Sequence, residues 1–503
     1  MLTYDDYKPI RNRIRKFRGN ELLLLAVKQL HDIYDAPRER VSYWRPWDLM
    51  RIIEWIIDDG NFDNTRKQPD INTLADLMNR INELETRLPN EYSGTSQFIR
   101  VLVHQQFLYQ RSAPVKDLAR QLAIFGEART PKGISEKFEA QVKVPLKTYL
   151  AVNMLLGSQI LIAHKMFIPS SCLESLYPVY GRPVVTRSVE LLSETFEGAR
   201  ARIRAAKDKI KDFDARFQAP TALQRRPFLR EPDRMICLSP SLLVDLLRFS
   251  AFDLFREVGG SDAASHLGEA FEDYIARVLE FTGMEHRTER HLRARYPGRK
   301  VTDFAIPSEN ATVLVEAKAI ETSRLAQASP DERVLVQHIR SSVLKAVGQG
   351  LAAASAISAS PDDVLAGHVD EFFLLVVTMK DLHLGPGQGL IQGPVEAEIR
   401  EAAKGLDMDL VPRENTFFCT VEELEFLVDA CATSGVSMAS VLRRARQANA
   451  DPATRRLHLS QHFEAQGLPT RVLPLLVQLF QRFGEEVKIE IAAKLPGAVA
   501  PVK

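Results

Sequence analysis

The sequence predicts a multidomain α+β protein: an all-helical N-terminal domain, a strand-poor mixed α/β core, and C-terminal helices packed on that core. Three observations carry this reading. The chain has 503 residues, too many for one ordinary core, so length favours roughly two or three packing units. Apolar residues recur at helical spacing from about residue 22 to 217, with almost no period-two alternation among them. Past Pro220, Pro227 and Pro232, which cluster with Arg225, Arg226 and Arg230, the pattern becomes mixed. The predicted units are residues 1–225, 226–400 and 401–503.

Composition narrows the class. Hydrophobic residues at 45% and charged residues at 26% match a soluble globular chain. Lys plus Arg at 66 against Asp plus Glu at 65 leaves almost no net charge, so nucleic-acid affinity must come from local patches. Cys172, Cys237, Cys419 and Cys431 are scattered, without a C-x-x-C pair, which argues against a disulfide framework and a structural zinc. The start of the chain lacks a basic region followed by an apolar run, and no apolar stretch reaches membrane-spanning length. A cytoplasmic location without a membrane partner is expected.

In chain order, Leu74, Leu77, Met78, Ile81, Leu84 and Leu88 form one helical stripe that Pro89 stops. Residues 193–217 carry Arg200, Arg202, Arg204, Lys207, Lys209 and Lys211 among acids, as in a long solvated connecting helix. Beyond the junction, helices are expected from residue 241 and over 265–281, strands over 301–306 and 312–320, and a helix over 330–359. Residues 372–379, a continuous apolar run with β-branched members, read as a central strand buried on both faces. Gly385 to Gly389 with Gly393 and Pro394 reads as a loop, 416–420 as a strand, and 421–432, 438–447 and 472–483 as helices.

The chemistry concentrates in the middle unit. Asp303 lies on the first of two expected strands, and Pro307-Ser308-Glu309-Asn310 supplies turn residues, so the pair reads as a hairpin. On the second strand the period of two puts Glu316 and Lys318 on one face and Val313, Val315 and Ala317 on the other. Upstream, the i, i+3 spacing of Glu269 and Glu272 places both on one side of a helix. Downstream, Gln337, Lys345 and Gln349 stand among apolar positions and suit the orientation of water or phosphate. Carboxylates in this number are what Mg²⁺, a hard cation, requires, and metal-assisted phosphodiester hydrolysis uses such sites.

This set, Gly268 with Phe271-Glu272, then Asp303, then Glu316-Ala317-Lys318, then the Lys345 to Gln349 helix, resembles the PD-(D/E)XK nuclease superfamily over about residues 265–380. The resemblance implies a restriction-endonuclease-like core. It implies an Mg²⁺- or Mn²⁺-dependent endonuclease in which Asp303, Glu316 and Glu272 bind metal, the Ala317 carbonyl adds a ligand, Lys318 serves the attacking water and Gln349 assists. Glu269 is the second choice for the helix glutamate. Thr302 stands where the motif's name has proline. Glu-x-Lys recurs at Glu486-Val487-Lys488, but with no strand aspartate at suitable spacing upstream.

Arg287, Arg290, Arg293, Arg295, Arg299 and Lys300 abut Asp303 in sequence and would attract a phosphate backbone without reading bases; a solvated strand and loop is the equal alternative. Lys8, Arg11, Arg13, Arg15, Lys16 and Arg18 form a weaker second patch. No G-x-x-x-x-G-K-[ST] loop is present, and His458 with His462 at i, i+4 lacks the glutamate of a zinc protease. A nuclease without its own ATPase but with a large helical appendage resembles bacterial defence effectors acting on phage or plasmid DNA. DNA is expected ahead of RNA, with a homodimer or regulatory protein as further partners. A structure-selective repair or recombination nuclease, and a non-catalytic scaffold, are the alternatives.

Overall fold

The computed structural model describes residues 2–36, 43–88, 95–110, 115–329, 331–360, 371–391 and 395–495. The helix stop expected at Pro89, the helix start at Pro330 and the turn at Gly393-Pro394 lie outside these residues.

The N-terminal helices form where the apolar stripe dictates. In Ile71–Glu85 the Asp70 carboxylate accepts from the Thr73 amide at 2.8 Å, closing the first turn. Leu74, Leu77, Met78 and Ile81 are then fully buried against Gly19–Tyr34 and Pro46–Asp59. The expected single helix over 193–217 is instead a two-residue strand followed by helices Phe196–Lys209 and Phe213–Gln218. Its basic side is exposed at Arg204, Lys209 and Lys211 as expected, but part of it is also tied to the neighbouring helix. Arg200 donates to the Ile57 carbonyl at 2.8 Å, and Arg204 and Lys207 both bind the Asp58 carboxylate. Asp58 and Asp59 end the Pro46–Asp59 helix, so the acidic partner is tertiary and invisible to local periodicity.

The N-terminal half is also not all-helical. Strands β1 (Phe167–Pro169) and β2 (Ser193–Glu194) join β3 (Phe228–Arg230) and β4 (Arg234–Cys237) in a sheet of order β1-β4-β3-β2. Strands this short give period-two reading nothing to count. The sheet is a partition: Leu229 and Ile236 face the N-terminal core, while Phe228, Met235 and Cys237 face a second one. Residues 118–192 pack into that second core together with Pro240–Phe281 and the C-terminal helices, so the cores do not divide at residue 225.

The second sheet carries β5 (Arg287–Thr288), β6 (Phe304–Ser308), β7 (Ala311–Lys318), β8 (Glu371–Thr378) and β9 (Thr416–Thr420) in sequential order. β5, β6 and β7 pair antiparallel; β7, β8 and β9 run parallel. Val313, Val315, Ala317, Phe373, Leu375 and Val377 point into the second core. Leu314, Leu374 and Val376 point into a third, under a helical run from 332 to 358. β8 is thus the two-faced strand its apolar run predicts. The β6–β7 hairpin forms as expected, although β6 begins at Phe304, after Asp303 rather than through it.

The expected helices from 241 and over 265–281 merge into Pro240–Phe281, broken at Gly260 by φ 59° and ψ −141°. The run from 332 to 358 contains one wide i→i+5 turn at Arg340–Leu344 before Lys345–Ser358. The glycine-rich stretch near 387 is a helical turn, Gly387–Ile391, rather than a loop. Helices Val421–Ser434, Met438–Ala450, Leu459–Ala465 and Pro474–Lys494 complete the chain, and among the described residues no helix is long and apolar enough to cross a membrane.

Candidate active site

The hairpin register builds the site. Phe304 pairs with Val315, so Asp303, one step before β6, stands across from Glu316. The Asp303 carboxylate accepts from the Ala317 amide at 2.7 Å, which fastens it to β7. Glu316 has no exposed surface; one of its oxygens accepts from Lys318 Nζ at 2.5 Å, and Oε2 is buried without a hydrogen-bond partner. Lys318 ends β7 with its side chain 19% exposed, so its ammonium stands at the mouth. Glu316 and Lys318 share a face, as period two requires.

Glu272 reaches this group from the second half of the Pro240–Phe281 helix, whose Phe271, Tyr274 and Ile275 are buried in the core beneath. Burial first, and then the Asp303 carboxylate, push Glu272 up to about 8, against the pull of Lys318. The same two causes push Glu316 up to about 7. Asp303 is also raised, by burial, with Lys318 and the Ala317 amide opposing. Three largely buried carboxylates therefore crowd Lys318, with Arg293 adding a further pull on Asp303. Glu289, at the start of the short helix Glu289–Arg295, raises both Glu272 and Asp303. Sequence reading misses it because it sits inside a basic run.

Other expected residues fall elsewhere. Glu269 is exposed on the same helix, which leaves Glu272 as the helix glutamate beside the hairpin. Gln349 lines a groove of about 530 Å³ with Lys300, Arg340, Lys345, Glu398 and Glu401. Its Oε1 is buried without a hydrogen-bond partner. Ala317 contributes its amide to Asp303 while its side chain lies in the core. The second Glu-x-Lys is ordinary helix surface: Val487 is buried, Glu486 pairs with Lys147 and Lys488 with Glu485.

The basic run is a two-residue strand and a short helix rather than strand and loop. Arg287 pairs with Glu285 and Arg293 with Glu289, whereas Arg290, Arg299 and Lys300 are exposed and have no carboxylate partner among the described residues. Half of the N-terminal run is paired, with Arg13, Arg15 and Arg18 bound to Asp76, Asp59 and Glu21.

Among the described residues, the three potential ligands whose donor atoms all lie within 4.8 Å of one another are Asp381, His383 and His458. Glu272, Asp303 and Glu316 do not close that far. Like charges repel, and Lys318 and the Ala317 amide already hold one oxygen each.

Comparison with protein-family models, with curated proteins and with solved structures returned no match. Function therefore rests on the chemistry of the site itself.

Proposed function

We propose that the chain is a metal-dependent nuclease of the PD-(D/E)XK type that hydrolyses phosphodiester bonds in DNA. The observation that carries this is the buried, unpartnered Oε2 of Glu316, set across from Asp303 and within the field of Glu272, with Lys318 and, at Asp303, Arg293 offsetting the three carboxylates only in part. Without a metal, burial favours the protonated forms of Glu272 and Glu316; a bound divalent cation would favour their ionised, ligating forms instead. Hard oxygen donors in excess over cations fit Mg²⁺ or Mn²⁺.

Glu272, Asp303 and Glu316 would hold the ion, which when bound supplies Lewis acidity and acidifies water. Asp303 is fixed by the Ala317 amide, so its remaining oxygen is presented at a defined position. Lys318 donates an N–H toward the attacking water or a phosphoryl oxygen, positioning the first and offsetting charge on the second. Arg290, Arg299 and Lys300 draw the phosphate backbone toward the hairpin. A setting in defence against phage or plasmid DNA goes with this reading, and a structure-selective repair nuclease uses the same chemistry.

The test is cleavage of plasmid, linear duplex, single-stranded DNA and RNA with Mg²⁺ or Mn²⁺. DNA cutting should vanish with EDTA and fall by at least about 100-fold in Asp303→Asn and Lys318→Ala. Cutting that survives both substitutions sinks the assignment.

A further inference from the structure

Past the carboxyl end of β8 the chain bends sharply, and His383 sits at φ 50°, a backbone region that residues other than glycine seldom occupy. The bend sets His383 beside Asp381, with Nδ1 3.2 Å from a carboxylate oxygen. His458 arrives from the C-terminal region as the residue immediately before Leu459–Ala465, with its Nδ1 3.0 Å from the other Asp381 oxygen. Two imidazoles thus converge on one carboxylate, and a ligand atom from each of the three lies within 4.8 Å of the others.

We propose that Asp381, His383 and His458 form a second metal site, for a divalent transition ion such as Zn²⁺. Imidazole nitrogen with one carboxylate suits Zn²⁺ and disfavours Mg²⁺, which takes hard oxygen. Ligands about 2.0–2.1 Å from a tetrahedral centre stand roughly 3.3 Å apart; the two His–Asp separations already match this, and no pair of ligand atoms is more than 4.8 Å apart. Among the groups around the trio, the His104 ring packs edge-on against His383 with centroids 4.6 Å apart, and several other polar neighbours are engaged elsewhere. Both Glu423 oxygens are engaged, by the Ser460 amide at 2.9 Å and the Thr420 amide at 2.8 Å. His462 is turned away onto Asn449. Arg120 and Arg248, which share the adjoining cleft, are paired with Asp117, Glu425 and Glu422. That cleft, of about 320 Å³ and walled partly by Phe107, Phe249 and Phe426, faces the trio. Three protein ligands leave the fourth position to this cleft, the pattern of a site that exchanges a water or small ligand.

The i, i+4 spacing of His458 and His462 suggests a helical pair, but His458 precedes the helix and its partners come from the turn after β8. The competing description is a strut, in which Asp381 simply hydrogen-bonds both imidazoles to tie the C-terminal helices to the sheet.

The experiment is titration of chelator-treated, full-length protein with Zn²⁺ by calorimetry and with Co²⁺ by visible absorption. In Asp303→Asn, where the carboxylate site is disabled, one Zn²⁺ per chain should bind, and Co²⁺ should give the d–d bands of a four-coordinate nitrogen and oxygen site. Adding His383→Gln or His458→Gln to Asp303→Asn should weaken that binding by at least about tenfold, which separates this site from the carboxylate one. Zn²⁺ should raise the melting temperature of Asp303→Asn but not of the Asp303→Asn, His458→Gln double variant. Far-UV circular dichroism checks folding; His458, half-buried at a helix start, carries the test alone if the buried His383 proves essential to the fold. Asp303→Asn protein that takes up no Zn²⁺, or uptake in that background that His458→Gln leaves intact, overturns the site in favour of the strut.

Discussion

Asp303 has two jobs that an alanine substitution would confound. Its carboxylate is placed to bind cation and also satisfies the Ala317 amide. Removing the acceptor would leave that buried N–H unpaired, at about 1–3 kcal/mol, and blur lost chemistry with lost hairpin. Asn keeps an acceptor and so isolates the charge. Glu316 permits a sharper test. Its carboxyl is pushed up to about 7 in the folded protein, well above the ordinary glutamate range, so protonation favours the folded state. Its ionisation costs stability that sets in as pH rises from the unfolded toward the folded value and is complete above it. In metal-free protein, Glu316→Gln should therefore stabilise the fold on the order of 1–3 kcal/mol at pH 8. The advantage should shrink toward nothing by about pH 5, as read by urea unfolding at both pH values. Adding Mg²⁺ should favour the wild type instead. A Gln variant less stable at pH 8 would mean that the Lys318 pair outweighs burial.

The aim of Glu272 depends on Gly260. With φ 59° and ψ −141° this residue occupies a region essentially closed to side chains, and it redirects the Pro240–Phe281 helix before the half that carries Glu272. No atom lies within 4 Å of where a Cβ would be, so the penalty for Gly260→Ala is conformational rather than a clash with neighbours. It should cost about 1–3 kcal/mol in unfolding free energy, and it should lower Mg²⁺-dependent cleavage in protein that is still folded. Full activity with unchanged stability would show that the break does not set the site. Sequence periodicity identifies both halves of this helix and both strands of the hairpin, because each buries a continuous stripe. It places the start of β6 too early because Val301 and Thr302, though buried, approach the sheet without joining its ladder.

Ion pairing of the cations is uneven across the described residues. Most arginines of the N-terminal run and of Phe196–Lys209 are paired internally, whereas Arg290, Arg299 and Lys300 stay exposed on the segment leading to Asp303. Duplex binding should therefore depend on this patch. In an Asp303→Asn background, which spares the substrate, replacing all three with alanine should weaken binding. It should also reduce the slope of log K against log salt by up to about 0.9 for each phosphate no longer neutralised. An unchanged slope would place the DNA elsewhere. The two sheets and three cores also show why the chain reads as dividing at residue 225: the proline cluster marks a change of local pattern, but 118–192 returns to the second core through long-range packing.

Local pattern is enough to give the helices with long apolar stripes, the β6–β7 hairpin, the two-faced β8, and Asp303, Glu316 and Lys318 as neighbours on that hairpin. All of these follow from periodicity and spacing, which act over a few residues. Packing of distant elements was needed to turn Glu272 rather than Glu269 toward the hairpin and to engage the arginines of Phe196–Lys209 with Asp58 and Ile57. The same packing brings His458 to Asp381 and His383. Those outcomes depend on which remote surfaces bury one another, and burial is set by the fit of whole elements, which no local pattern records.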